Sequence, residues 1–111
     1  MTLFGNNKPV LEIKGLLVGQ FDPKVDGFYK NVMPFRFDVK KNRTIHVSIR
    51  SDAPVDAAIV DGKGATASHV DRLTSSETDV HTGNSREMSL VLGVYPGEKA
   101  TVDAEIRMDK K

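Results

Sequence analysis

The chain has 111 residues, with sixteen Lys and Arg against fifteen Asp and Glu, three histidines and no cysteine. That length holds one core but not two. The balanced charge lacks the one-sided basic field of phosphate-led nucleic-acid binding, and the missing thiols exclude cysteine nucleophiles, cysteine zinc sites and disulfides.

In chain order, residues 1–9 and 109–111 are expected to fray around a single domain over 10–108. No secretory leader follows Met1, and no run reaches the roughly 20 apolar residues of a membrane helix, so the chain as written is expected to be cytoplasmic and without a membrane partner. Val10 to Val18 is apolar with few polar alternations, which suits a strand covered on both faces or lying centrally in a sheet. Residues 19–34 contain Pro23, Gly27 and Pro34 beside Phe21, Phe28 and Tyr29, and read as a loop pinned by aromatic side chains.

Strict alternation follows, the signature of half-buried strands. Phe35, Phe37 and Val39 form one set and Ile45, Val47 and Ile49 a second. Val55 to Val60 is a shorter apolar strand. Met88, Leu90, Leu92 and Val94 form another set, and Val102, Ala104, Ile106 and Met108 the last. Val47, Leu90 and Ile106 sit at the centres of their runs and are expected in the core. Lys40 to Arg43 and Ser51 to Pro54 have hairpin length. Tyr95-Pro96-Gly97-Glu98 has the residues of a type II turn, predicting that the last two strands pair. Six main strands without a long helical period predict an all-β antiparallel two-sheet sandwich with at most one short helix.

Asp61 to Arg86 is long, polar and rich in Gly, Ser, Thr and Asp. It reads as the long loop most suited to hold a site. Ala67, Val70 and Leu73 recur at helical spacing, so a helical turn competes there with a hairpin.

From Phe35 to Val60 the chain runs FRFDVKKNRTIHVSIRSDAPVDAAIV, and it closes with MSLVLGVYPGEKATVDAEI. This order resembles the jelly-roll sandwiches of bacterial pre-peptidase C-terminal domains and, more distantly, Golgi-dynamics (GOLD) domains, over about two-thirds of the chain. The resemblance implies a non-enzymatic accessory or interaction module with no catalytic residue.

The residues that could carry chemistry are few. His46 alternates outward on a predicted strand, as a solvated histidine does. No serine elbow is present. Asp61-Gly62-Lys63-Gly64 lacks the ending of a phosphate loop, and Asp22 and Asp26 lack the remaining ligands of a calcium loop; both read as turns. Lys40, Lys41 and Arg43 form a basic tip open to acidic groups. With no Trp, and only Tyr29 and Tyr95 as tyrosines, little is available for stacking on sugars. His69-Val70-Asp71 and Asp79-Val80-His81 are mirrored two-ligand units. A hairpin between them would bring His69, Asp71, Asp79 and His81 together as a set suited to zinc or another divalent metal.

The leading expectation is a non-enzymatic protein-interaction or structural module without a cofactor. Its partner would be another protein or a second copy, met through a sheet edge or an outward face such as Ala58 and Val60. The alternative is a metal- or small-ligand-binding domain that uses 61–86.

Overall fold

The apolar alternation between Thr44 and Val60 forms one long strand rather than two. A computed structural model describes residues 9–19, 31–95 and 97–109. Its strands are β1 (Leu11–Val18), β2 (Val32–Asp38), β3 (Thr44–Val60), β4 (Thr66–His81), β5 (Glu87–Gly93) and β6 (Ala100–Met108). The expected behaviour of residues 1–8 and 110–111, the aromatic loop over 20–30 and Pro96 lie outside the described residues.

All pairings are antiparallel, and β3 organises them. Its first half, Ile45 to Ser51, pairs with β6, and its second half, Asp56 to Val60, pairs with β5. Strand β4 follows β3 along its other side from end to end. Adding β1 beside β6 and β2 beside β5 gives two sheets that share a bent β3–β4 ribbon. The inward side chains of both sheets form one core. Ile45, Leu90, Leu92 and Ile106 are fully buried there, and Val47 is 4% exposed. The antiparallel sandwich is therefore established, with no helix among the described residues.

Three connections differ from expectation for a common reason. Ser51 to Pro54 is a bend within β3, not a hairpin. Between the pairs Arg50↔Ser75 and Val55↔Leu73, β3 spends Ser51 to Pro54 where β4 spends only Thr74. Pro54 has no N–H for a ladder, and side chains satisfy neighbouring groups: Ser51 Oγ donates to Ala53 O, and Asp52 Oδ1 accepts from Thr101 N at 2.8 Å. Lys40 to Arg43 and Tyr95 to Glu98 likewise cross from one sheet to the other, so β5 and β6 do not pair. Turn residues specify that the chain reverses; which strand it then joins depends on partners distant in sequence. Strand β1, expected to be covered on both faces, is a sheet edge paired with β6.

Most of the expected long loop is β4. Its inner face carries Ser68, Ser76 and Thr78 alongside Val70, Leu73 and Val80, a weak hydrophobic signal on a strand of β-compatible Thr, Ser and Val. The helix-like spacing of Val70 and Leu73 comes from a bulge. Arg72 has φ 54°, and the register slips between Val55↔Leu73 and Ala57↔Val70. The extra residue turns both apolar side chains inward.

Candidate functional site

Because β3 and β4 bend together, the ribbon's tip, Asp61 to Ala65, returns beside its base. The tip is a tight turn: Asp61 Oδ1 accepts from the N–H groups of Lys63 and Ala65, both at 2.9 Å, and Gly64 has φ 87°. Those two bonds, that of Ala65 foremost, hold the Asp61 carboxyl below its ordinary range. Gly62 lets the tip approach the base. Its N–H donates to Ser85 Oγ at 3.1 Å, and a Cβ there would stand 3.3 Å from Glu87 O.

The base is held by Thr82, a polar residue only 2% exposed. Its hydroxyl donates to Lys40 O at 2.6 Å and accepts from Arg43 N at 2.9 Å. Its backbone N–H donates to Arg43 O, and Asn42 N–H donates to Gly83 O. The loops 39–43 and 82–86 are thereby zipped together, and the basic tip is anchored beside the ribbon's returning end.

Between tip and base lies an open cleft of about 530 Å³, within the range of small-ligand sites. Asp61, Gly62, Lys63, His81, Asn84 and Arg86 are among its lining residues. His81 Nδ1 accepts from Gly83 N at 3.1 Å, which leaves Nε2 to carry the proton of the neutral ring. The cleft thus offers donors from His81, Asn84, Lys63 and Arg86, and acceptors from Asp61 and Asn84. A second groove of about 420 Å³ crosses the outer face of β1, β6 and β3. Its charges are largely engaged already: Glu12 with Lys14, Glu105 with Arg107, and Asp103 with Gly15 N.

The expected metal ligands are distributed differently. His69 and Asp71 do share a face, with Nε2 and Oδ1 2.7 Å apart. Asp79 Oδ1 instead meets His46 Nδ1 at 2.6 Å, while Glu77 Oε1 meets His46 Nε2 at 3.0 Å. His81 faces the cleft. The strand runs on through Arg72 to Thr78, so no hairpin folds the two units together. Among the described residues no group of three or more His, Cys, Asp or Glu side chains is placed to hold a metal ion. His46, expected to be a lone solvated side chain, is clamped by two carboxylates; the bonds to Asp79 and then Glu77 raise its pKa above the ordinary value. The roles of Lys63, Asn84 and Arg86 were not legible in sequence. The signal was the polar composition of Asp61 to Arg86 as a whole, whose two ends form the turns that line the cleft.

No family model and no curated protein matches the sequence. Similar solved structures exist. One contains a CBM51 carbohydrate-binding module in complex with GlcNAc and the INT domains of Clostridium perfringens ZmpB. It is 13% identical over 92% of this chain, with a TM-score of 0.52, and the match spans 30% of that structure's chain. A CBM36 carbohydrate-binding module in complex with calcium and xylotriose is 14% identical, covering 94% of this chain and 99% of its own, at a TM-score of 0.44. The CBM36-1 domain of a multidomain xylanase from the hindgut metagenome of Trinervitermes trinervoides is 10% identical, covering 96% and 98%, at 0.47.

The first of these supports a shared sandwich fold. The resemblance read from sequence accordingly stands at the level of a jelly-roll-like sandwich, with no pre-peptidase C-terminal or GOLD domain among these neighbours. The expectation of a protein-interaction or structural module, with a protein partner or a second copy, is corrected: the solved structure whose fold this chain shares contains a carbohydrate-binding module in complex with a sugar. The outward face nominated for that role also proves less open than expected, since Ala58 and Val60 are half-buried. The alternative, a small-ligand-binding domain that uses 61–86, agrees better with a cleft built from both ends of that segment. No helix among the described residues is long and apolar enough to cross a membrane.

Proposed function

We propose that this chain is a non-catalytic carbohydrate-binding domain and that its ligand sits in the cleft between the β3–β4 turn and the β4–β5 loop. The observation that carries this reading is the cleft itself: about 530 Å³, at the loop end of the sandwich, lined by both donors and acceptors. Sugar hydroxyls donate and accept at once, so a mixed set of polar groups suits them. With no Trp in the chain, recognition here rests on hydrogen bonds rather than on stacking. The neighbouring fold supports the reading, because a sandwich positions such loops rigidly while their side chains vary.

The test is an NMR titration of labelled protein with a panel of neutral and acidic oligosaccharides. The Asn84 side-chain amide, the His81 ring and the Gly62 and Gly83 amides are expected to shift, while core signals such as those of Leu90 stay fixed. Asn84→Ala is expected to weaken binding without changing the fold. Indifference of all cleft signals to the whole panel at millimolar concentration would overturn the assignment.

A further inference from the structure

The charged groups around this cleft are not equally available. Of its two acids, Asp61 spends Oδ1 on the N–H groups of Lys63 and Ala65, and Glu87 faces Arg36, with Oε1 3.6 Å from Nη1. Its two cations differ. Lys63 and Arg86 are exposed and line the cleft; Lys63 already lies within reach of the Asp61 charge, whereas no ion pair engages Arg86 among the described residues. The bonds of Thr82 hold the backbone of the 40–43 turn against the same loop. His81 adds a neutral donor, because its Nδ1 is occupied by Gly83 N–H.

We propose that the cleft selects acidic saccharides, those carrying ring carboxylates, over their neutral counterparts. This rests on the carbohydrate-binding reading and names the ligand class of that site. Arg86 presents a planar fork that matches a carboxylate, and Lys63 presents a mobile ammonium. Charge-assisted bonds from both are stronger than those to neutral hydroxyls. A neutral sugar leaves Arg86 without a counter-charge, whereas a uronate supplies one. The cations stand in solvent, so the discrimination is screened by salt.

The experiment is calorimetry on the full chain with oligomers of galacturonate, glucuronate and mannuronate, each compared with its methyl ester, which removes the charge and keeps the ring. At least one acid is expected to bind on the order of tenfold tighter than its ester at low salt. That advantage is expected to shrink as salt rises. The double variant Lys63→Gln, Arg86→Gln is expected to abolish it, lowering acid binding by far more than ester binding. Esters that bind as well as acids would overturn this inference and leave the carbohydrate reading standing, as would neutral panel members that bind when every uronate fails. Equal loss of acid and ester binding in the double variant would also overturn it, because the two residues would then shape the cleft rather than read charge. So would displacement by inorganic phosphate as effective as displacement by uronate. Failure of every saccharide, charged or neutral, would overturn both readings.

Discussion

The guanidinium of Arg72 grips both carboxylate oxygens of Glu98, at 2.7 and 3.0 Å, from a backbone held at φ 54°. Its N–H donates to Asp56 Oδ1 at 2.8 Å, and its guanidinium carbon lies 4.5 Å from the centroid of the Tyr95 ring. The bulge that bends β4 is thus tied to β3 and to the crossing between β5 and β6. Left-handed backbone is unfavourable for a residue with a side chain, and these contacts over-determine it. The pairing lowers the Glu98 pKa and raises that of Arg72.

Glu98→Gln removes the charge and keeps the shape, so it is expected to lower the melting temperature. Because the pair is partly exposed, the deficit should largely vanish at about 1 M salt, where the Debye length falls to about 3 Å. Thermal denaturation at two ionic strengths checks this. A deficit independent of salt would assign the role of Glu98 to hydrogen-bond geometry instead.

The carboxylates around His46 make one arm of the ribbon pH-sensitive. Arg107 is its cross-strand neighbour on β6, and desolvation offsets the rise only in part. The folded-state pKa of His46 is raised above 6.5 by the bonds to Asp79 and Glu77. The stabilisation is therefore fully present below the unfolded-state value and is lost as pH rises through the folded one. The melting-temperature gap between wild type and His46→Gln is expected to be larger at acid pH than at alkaline pH, and small throughout because the ring is half exposed. NMR titration should place the His46 midpoint above 6.5, and Asp79→Asn should lower it.

Thr82→Val replaces the buried hydroxyl with a methyl group and strips Lys40 O and Arg43 N of a partner. The expected loss is about 1 to 3 kcal/mol, while Thr82→Ser should keep both bonds and most of the stability. Chemical denaturation measures the difference. Thr82→Val should also loosen the rim of the cleft, read as lost amide protection at Asn42 and Gly83.

Leu90 and Ile106 are fully buried on facing sheets. Truncation of either to Ala is expected to cost about 2 to 5 kcal/mol, through lost transfer energy and the cavity left behind. Near-neutral effects in denaturant melts would contradict the inward orientation of β5 and β6.

Alternation at every second residue determined from sequence alone that the chain is an antiparallel β-sandwich. It also determined which side chains of β2, β3, β5 and β6 face inward, since the period of a strand is local geometry. Tertiary structure decided what local pattern does not encode. That β3 runs unbroken through Pro54 depends on a bend whose Asp52 carboxylate accepts from the N–H of Thr101, a residue far along the chain. That β4 is a strand depends on β3 supplying its hydrogen bonds, because an edge strand needs few apolar residues of its own. The His69–Asp71 face was legible because residues two apart in a strand share a side. Asp79 was drawn to His46 because the two are cross-strand neighbours, a relation that exists only once the register is set. The cleft is the clearest case: Lys63 and Arg86 are 23 residues apart in sequence, and only the bend of the ribbon returns one turn to the other.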